Sequence, residues 1–107
     1  MFIVTLNHNI IHQYTEPKRL PGQERLFLDR MDKDMDLGFK LHDGFISQPD
    51  SNQRLHYVAF KLIEGLEDNN QGLIRTTSIY LAERYKNLTA IDINDKDGEK
   101  KVSLQCS

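Results

Sequence analysis

One cysteine, no tryptophan and three prolines set the first limits on this 107-residue chain. A lone Cys106 cannot close an internal disulfide, so packing must hold the fold, and a reducing, cytoplasmic setting is expected. Charge of one sign is lacking too: 14 Lys and Arg stand against 16 Asp and Glu, a net charge of −2. The basic residues are scattered, at Lys18 and Arg19, Lys40, Arg54, Arg75, Arg84, Lys86, and Lys100 and Lys101. No basic stripe is present to neutralise phosphates, so nucleic acid is not an expected partner. The six glycines are isolated, which excludes a glycine-rich phosphate loop. No apolar run approaches the roughly 18 residues of a membrane span. The apolar start, Met1 to Leu6, lacks a basic flank and is shorter than a signal-peptide core, so no targeting segment is expected.

What remains is a mean hydropathy of −0.58 and a length that suits one domain over residues 1–107. A chain of this size buries roughly two-thirds of its unfolded surface, enough for a core without staples.

The clearest positive signal lies between residues 55 and 88. Leu55, Val58, Ala59, Leu62, Ile63 and Leu66 recur at helical spacing and form one apolar face. Asp50, with Gln53 three residues later, has the form of a capping box, and Ser51 competes as the cap. Asn69 and Asn70 break the pattern. Leu73, Ile74, Thr77, Tyr80, Leu81, Tyr85 and Leu88 then give a second stripe. So short a connection predicts an αα-hairpin. Gly65, inside the first stripe, marks either a close approach of the two helices or a tolerated glycine.

Elsewhere, Phe2 to Leu6 reads as a strand, Asn7-His8-Asn9 as a turn, and Ile10 to Tyr14 as a second strand. Gln23 to about Leu37 reads as a helix with Phe27, Leu28, Met31 and Met35 inward and Gly38 as its stop. Ala90 to Ile93 and Val102 to Cys106 alternate around a turn-rich Asp95 to Glu99, a C-terminal hairpin. The expected fold is α+β: a small antiparallel sheet, built from the N-terminal strand and the C-terminal hairpin, covered by about three helices including the αα-hairpin.

Candidate chemistry is weak throughout. Asp32, Asp34 and Asp36, with Asp43 at the twelfth position, resemble a calcium loop in spacing. Leu37 occupies the sixth position, where the sharp turn needs glycine, and Asp43 replaces the longer bidentate Glu. A helix would also point Asp34 away from Asp32 and Asp36, so a solvated acidic face is the expected reading. The cluster Asp92, Asn94, Asp95 and Asp97 reads as turn chemistry. His8, His12 and Glu16 share a face only on a helix; on a strand His8 and His12 sit roughly 13 Å apart, too far for one ion. His42 and His56 add no recognisable spacing. Cys106 continues an apolar alternation and is expected half-buried in a strand. No metal or cofactor is expected.

Residues off their stripes carry more. Tyr57 and Phe60 project away from the core face of the first tandem helix, and Ile79 from the back of the second. Clustered and exposed, such groups mark a partner surface; a three-helix packing would instead bury Phe60 against Phe27 and Met31. Arg84 is a charge inside the second stripe. It snorkels outward, pairs with Glu64 or Glu67, or lines an anion site. The expectation is a non-catalytic protein-interaction or accessory module, or a self-associating one. Small-ligand or divalent-cation binding is the first alternative, and an enzyme site assembled from residues such as His42, His56 and Arg84 the second.

Overall fold

Two turns with positive φ organise the strands. Asn7 (φ 50°) and His8 (φ 72°) form a two-residue connection between β1 (Phe2–Leu6) and β2 (Asn9–Tyr14), and Asp97 (φ 55°) and Gly98 (φ 77°) do the same between β5 (Leu88–Lys96) and β6 (Glu99–Cys106). Paired positive φ values twist a hairpin in the sense its strands need. The other elements are α1 (Gly22–Asp36), β3 (Phe39–Leu41), β4 (Gly44–Ile46), α2 (Ser51–Asp68) and α3 (Gln71–Arg84). The computed structural model describes residues 1–15, 22–41 and 44–107, with no side-chain description for 22–24. The chain divides into two compact units, Met1–Glu16 with Leu81–Ser107, and Pro17–Tyr80.

The first unit holds a four-stranded sheet in the order β2-β1-β5-β6. The α+β class is as expected, but the sheet is mixed rather than antiparallel: β1 pairs parallel with β5, and each hairpin is antiparallel. Alternation marks a strand without marking its direction, so the parallel pairing of residues 87 positions apart was not readable. The central strands carry the buried residues, Phe2, Val4, Leu88, Ile91 and Ile93, while the outer strands stay largely exposed. Across the parallel pair the Thr5 hydroxyl donates to Asp92 at 2.7 Å, which binds a polar group that is 8% exposed. Asn7 pins the first turn to β5: its N–H donates to the Ile93 carbonyl (2.8 Å) and its side chain accepts from the Asp95 N–H (2.9 Å). The register shifts after Val4, so Ile11 stands as an extra residue of β2.

β5 and β6 run further than the apolar alternation indicated. Asp95 faces Lys100 and Lys96 faces Glu99 in register, and cross-strand pairs of opposite charge extend a ladder past its apolar part. Cys106 is the last residue of β6 and is exposed, not half-buried, because it lies at the end of an edge strand.

In the second unit, α2 begins as its sequence predicts. The Gln53 N–H donates to Asp50 (2.8 Å), and the Asp50 N–H donates back to the Gln53 side chain (2.9 Å), a complete capping box. The helix ends at Asn69, in the left-handed region at φ 54°. The Asn70 N–H reaches the Gly65 carbonyl (2.8 Å), as in a Schellman ending. The Asn70 side chain then accepts from the Leu73 N–H (3.2 Å) and opens α3. A Cβ on Gly65 would lie 3.3 Å from the Ile74 and Leu73 side chains, so this glycine permits a close approach of the two helices.

Three expectations are corrected here. α3 ends at Arg84, so Tyr85 lies beyond it and Leu88 opens β5 instead of closing the second stripe. Thr77 to Ala82 are all buried, which no single helical face can achieve; this stretch is enclosed on several sides rather than amphipathic. On α1, Leu28 and Met35 are buried as expected, but Phe27 is 47% exposed. α1 stops before Gly38, whose φ of 90° turns the chain into the β3–β4 hairpin.

Candidate functional site

A second face of α2 carries the site. Tyr57, Phe60, Lys61 and Glu64 recur at i, i+3, i+4 and i+7, beside the core stripe of the same helix. With Lys40 and Leu41 of β3 they line an open groove of about 330 Å³. β3 is anchored by buried Phe39, and alternation along the strand sets Lys40 on the opposite face. The Phe39 ring stacks on Tyr57 with centroids 4.1 Å apart and planes 19° apart, which fixes the tyrosine ring and leaves it half-buried. The Lys61 ammonium lies 5.6 Å from the Tyr57 ring centroid and 3.2 Å from Glu64. The groove therefore offers an aromatic and aliphatic floor, with two lysines and one glutamate in its lining. Such a lining can bind and orient an apolar group beside a charge.

Two of the three expected surface residues, Tyr57 and Phe60, thus meet in one groove, and both are half-exposed rather than buried. Ile79 is 5% exposed and offers no surface. Arg84 is exposed in the last turn of α3, where a cation complements the negative end of the helix. Sequence reasoning missed Lys40, Leu41, Lys61 and Glu64. The spacing of Tyr57, Phe60, Lys61 and Glu64 was available as a signal; the arrival of β3 beside it was not.

The acidic segment has a structural use. Asp32 accepts the Tyr80 hydroxyl at 2.5 Å, and Asp36 pairs with Arg54 at 2.5 Å. Arg54 also donates to the backbone carbonyls of Asp32 (3.3 Å) and Pro49 (3.2 Å), tying the end of α1 to the start of α2. Its bond to Asp36 holds the guanidinium more firmly protonated than usual, against an opposing effect of burial, with the charges of Asp36, Tyr80 and Asp32 adding to the first. Asp34 is exposed, and Asp43 lies outside the described residues. Among the described residues no three His, Cys, Asp or Glu side chains group as metal ligands.

His8 sits in the β1–β2 turn and His12 on β2, where it contacts the Phe2 ring at 6.4 Å between centroids; Glu16 and His42 lie outside the described residues. Burial lowers the His12 pKa from its ordinary 6.5. His56 Nδ1 lies 2.8 Å from the Asn52 carbonyl one helical turn back, a local helix contact. No protein-family model matches this chain, and no curated protein or solved structure is significantly similar to it.

Proposed function

We propose that this protein is a non-catalytic protein-interaction module, an accessory subunit or a self-associating one, whose contact surface is the Tyr57–Phe60 groove. One observation carries the reading: two aromatic side chains stand half-exposed on a second face of α2, between Lys40 and Lys61. Aromatic residues that remain accessible on a rigid element are the usual anchors of protein interfaces. The stack on Phe39 gives that rigidity, because the Tyr57 ring is already ordered before a partner arrives. The scattered basic residues favour a protein partner over nucleic acid, and the single cysteine favours a cytoplasmic setting. No described helix is long and apolar enough to cross a membrane.

The test is site-specific photo-crosslinking in expressing cells, with benzoylphenylalanine in place of Phe60 and, as control, in place of exposed Arg75. Protein adducts at position 60 that disappear when Tyr57 is changed to Ala are expected; an adduct of twice the chain mass would identify self-association. Equal yields at both positions would refute the reading. A second reading, a small-ligand site in the same groove, is favoured by its volume of about 330 Å³, at the lower end of the range for ligand pockets. A bound small molecule in native mass spectra of the purified protein, lost in the Phe60→Ser variant, would favour that reading.

A further inference from the structure

Resting on that reading, we infer that the occupant of the groove is a short acidic segment of a partner protein, with an aromatic or aliphatic side chain next to an Asp or Glu. Charge complementarity favours that occupant. Lys40 and Lys61 against Glu64 give the groove a net positive charge, whereas the whole chain is net negative at −2. Lys61 already shares its ammonium between the Tyr57 ring and Glu64. Lys40 is exposed and has no ion-pair partner among the described residues. An incoming carboxylate therefore meets one cation with no competitor among the described residues and a second held by an exposed carboxylate that it can displace. A basic segment would have to approach two ammonium groups with only Glu64 in its favour.

Size points to a peptide segment. From Tyr57 to Glu64 the helix face runs about 10 Å, from a rise of about 1.5 Å per residue. That length matches about three residues of extended chain. The groove is open rather than enclosed, so a longer chain can enter it. The apolar side chain of the segment lies on Tyr57, Phe60 and Leu41, and its carboxylate reaches Lys40 and Lys61. Glu64 sets specificity by repelling segments whose acid falls one position too far along the groove.

The experiment is selection of displayed random peptides on the immobilised full chain, followed by fluorescence polarisation of the enriched peptides. An acidic–apolar consensus is expected, with binding that weakens as salt is raised. Lys40→Glu should weaken it about 3- to 10-fold, while Glu64→Gln should strengthen it by a few-fold. The salt dependence of the unmodified protein decides the sign of the charge effect without any variant. Lys40 is exposed, so Lys40→Glu should keep the circular dichroism spectrum of the parent. A basic or uncharged consensus that still requires Tyr57 and Phe60 would overturn this inference and leave the interaction reading standing. Binding indifferent to Tyr57→Ala, Phe60→Ser and Lys40→Glu alike would overturn both.

Discussion

Changing Gly38 to Ala should be among the most damaging small substitutions in this chain, and the structure allows its cost to be divided. Gly38 has φ of 90°, where a side chain is strained, and an added Cβ would lie 2.6 Å from the Ile46 carbonyl oxygen and 2.7 Å from Cζ of Phe45. The backbone part is worth about 1–2 kcal/mol. Forcing a methyl group against a fixed carbonyl adds about 1–3 kcal/mol. The total, about 2–5 kcal/mol, is a large share of the stability of a small domain. Two other glycines separate these parts. Gly98 also has positive φ, at 77°, but nothing lies within 4 Å of its added Cβ, so Gly98→Ala reports the backbone cost alone. Gly44 has neither a positive φ nor a neighbour within 4 Å, so Gly44→Ala should stay within about 0.5 kcal/mol of the parent. Urea denaturation followed by circular dichroism measures all three, and at least about 4 °C of melting temperature should be lost per kcal/mol. Combining Gly38→Ala with Phe45→Ala should recover part of the loss, since the ring atoms can be removed and the Ile46 carbonyl cannot. A Gly38→Ala cost no larger than that of Gly98→Ala would refute the steric half of the argument.

Two further outcomes follow from the carboxylates and the half-buried histidine. The double variant Asp32→Asn, Asp36→Asn should lose about 1–2 kcal/mol, because the Tyr80 bond becomes neutral and the partly exposed Arg54 pair, with Asp36 at 61% exposure, is lost. That loss should be equal in millimolar calcium and in chelator, and a loss confined to calcium would restore the metal reading. For His12, burial depresses the folded-state pKa below 6.5, so the unfolded chain takes up its proton first. Stability should be full above pH 6.5, fall as pH drops through 6.5 toward the lower folded value, and level off beneath it. In His12→Gln that part of the urea-midpoint profile should flatten, and an unchanged slope would show that another group is responsible.

Local signals were legible because they act over a few residues. The Asp50–Gln53 capping box, the Asn69 ending, the core stripe of α2 and the two hairpin turns each depend on bonds between neighbours in sequence. Tyr57 and Phe60 were legible as a mismatch, since a helix with one core face must place such residues elsewhere. The rest depended on segments far apart in the chain. Alternating apolar residues in β1 and β5 required a sheet, but their parallel pairing was chosen by the chain between them. The second stripe looked amphipathic, yet Thr77 to Ala82 are buried all round because burial is a property of the neighbours a helix acquires. Asp32 and Asp36 had the spacing of cation ligands until Tyr80 and Arg54 arrived, from 48 and 18 residues away, to engage them. The sequence by itself determined both ends of α2, the two hairpin turns, and that Tyr57 and Phe60 lie off the core stripe of that helix. Tertiary structure alone decided that Lys40, Lys61 and two aromatic rings share one groove, because that requires a turn at Gly38 to carry β3 against the outer face of α2.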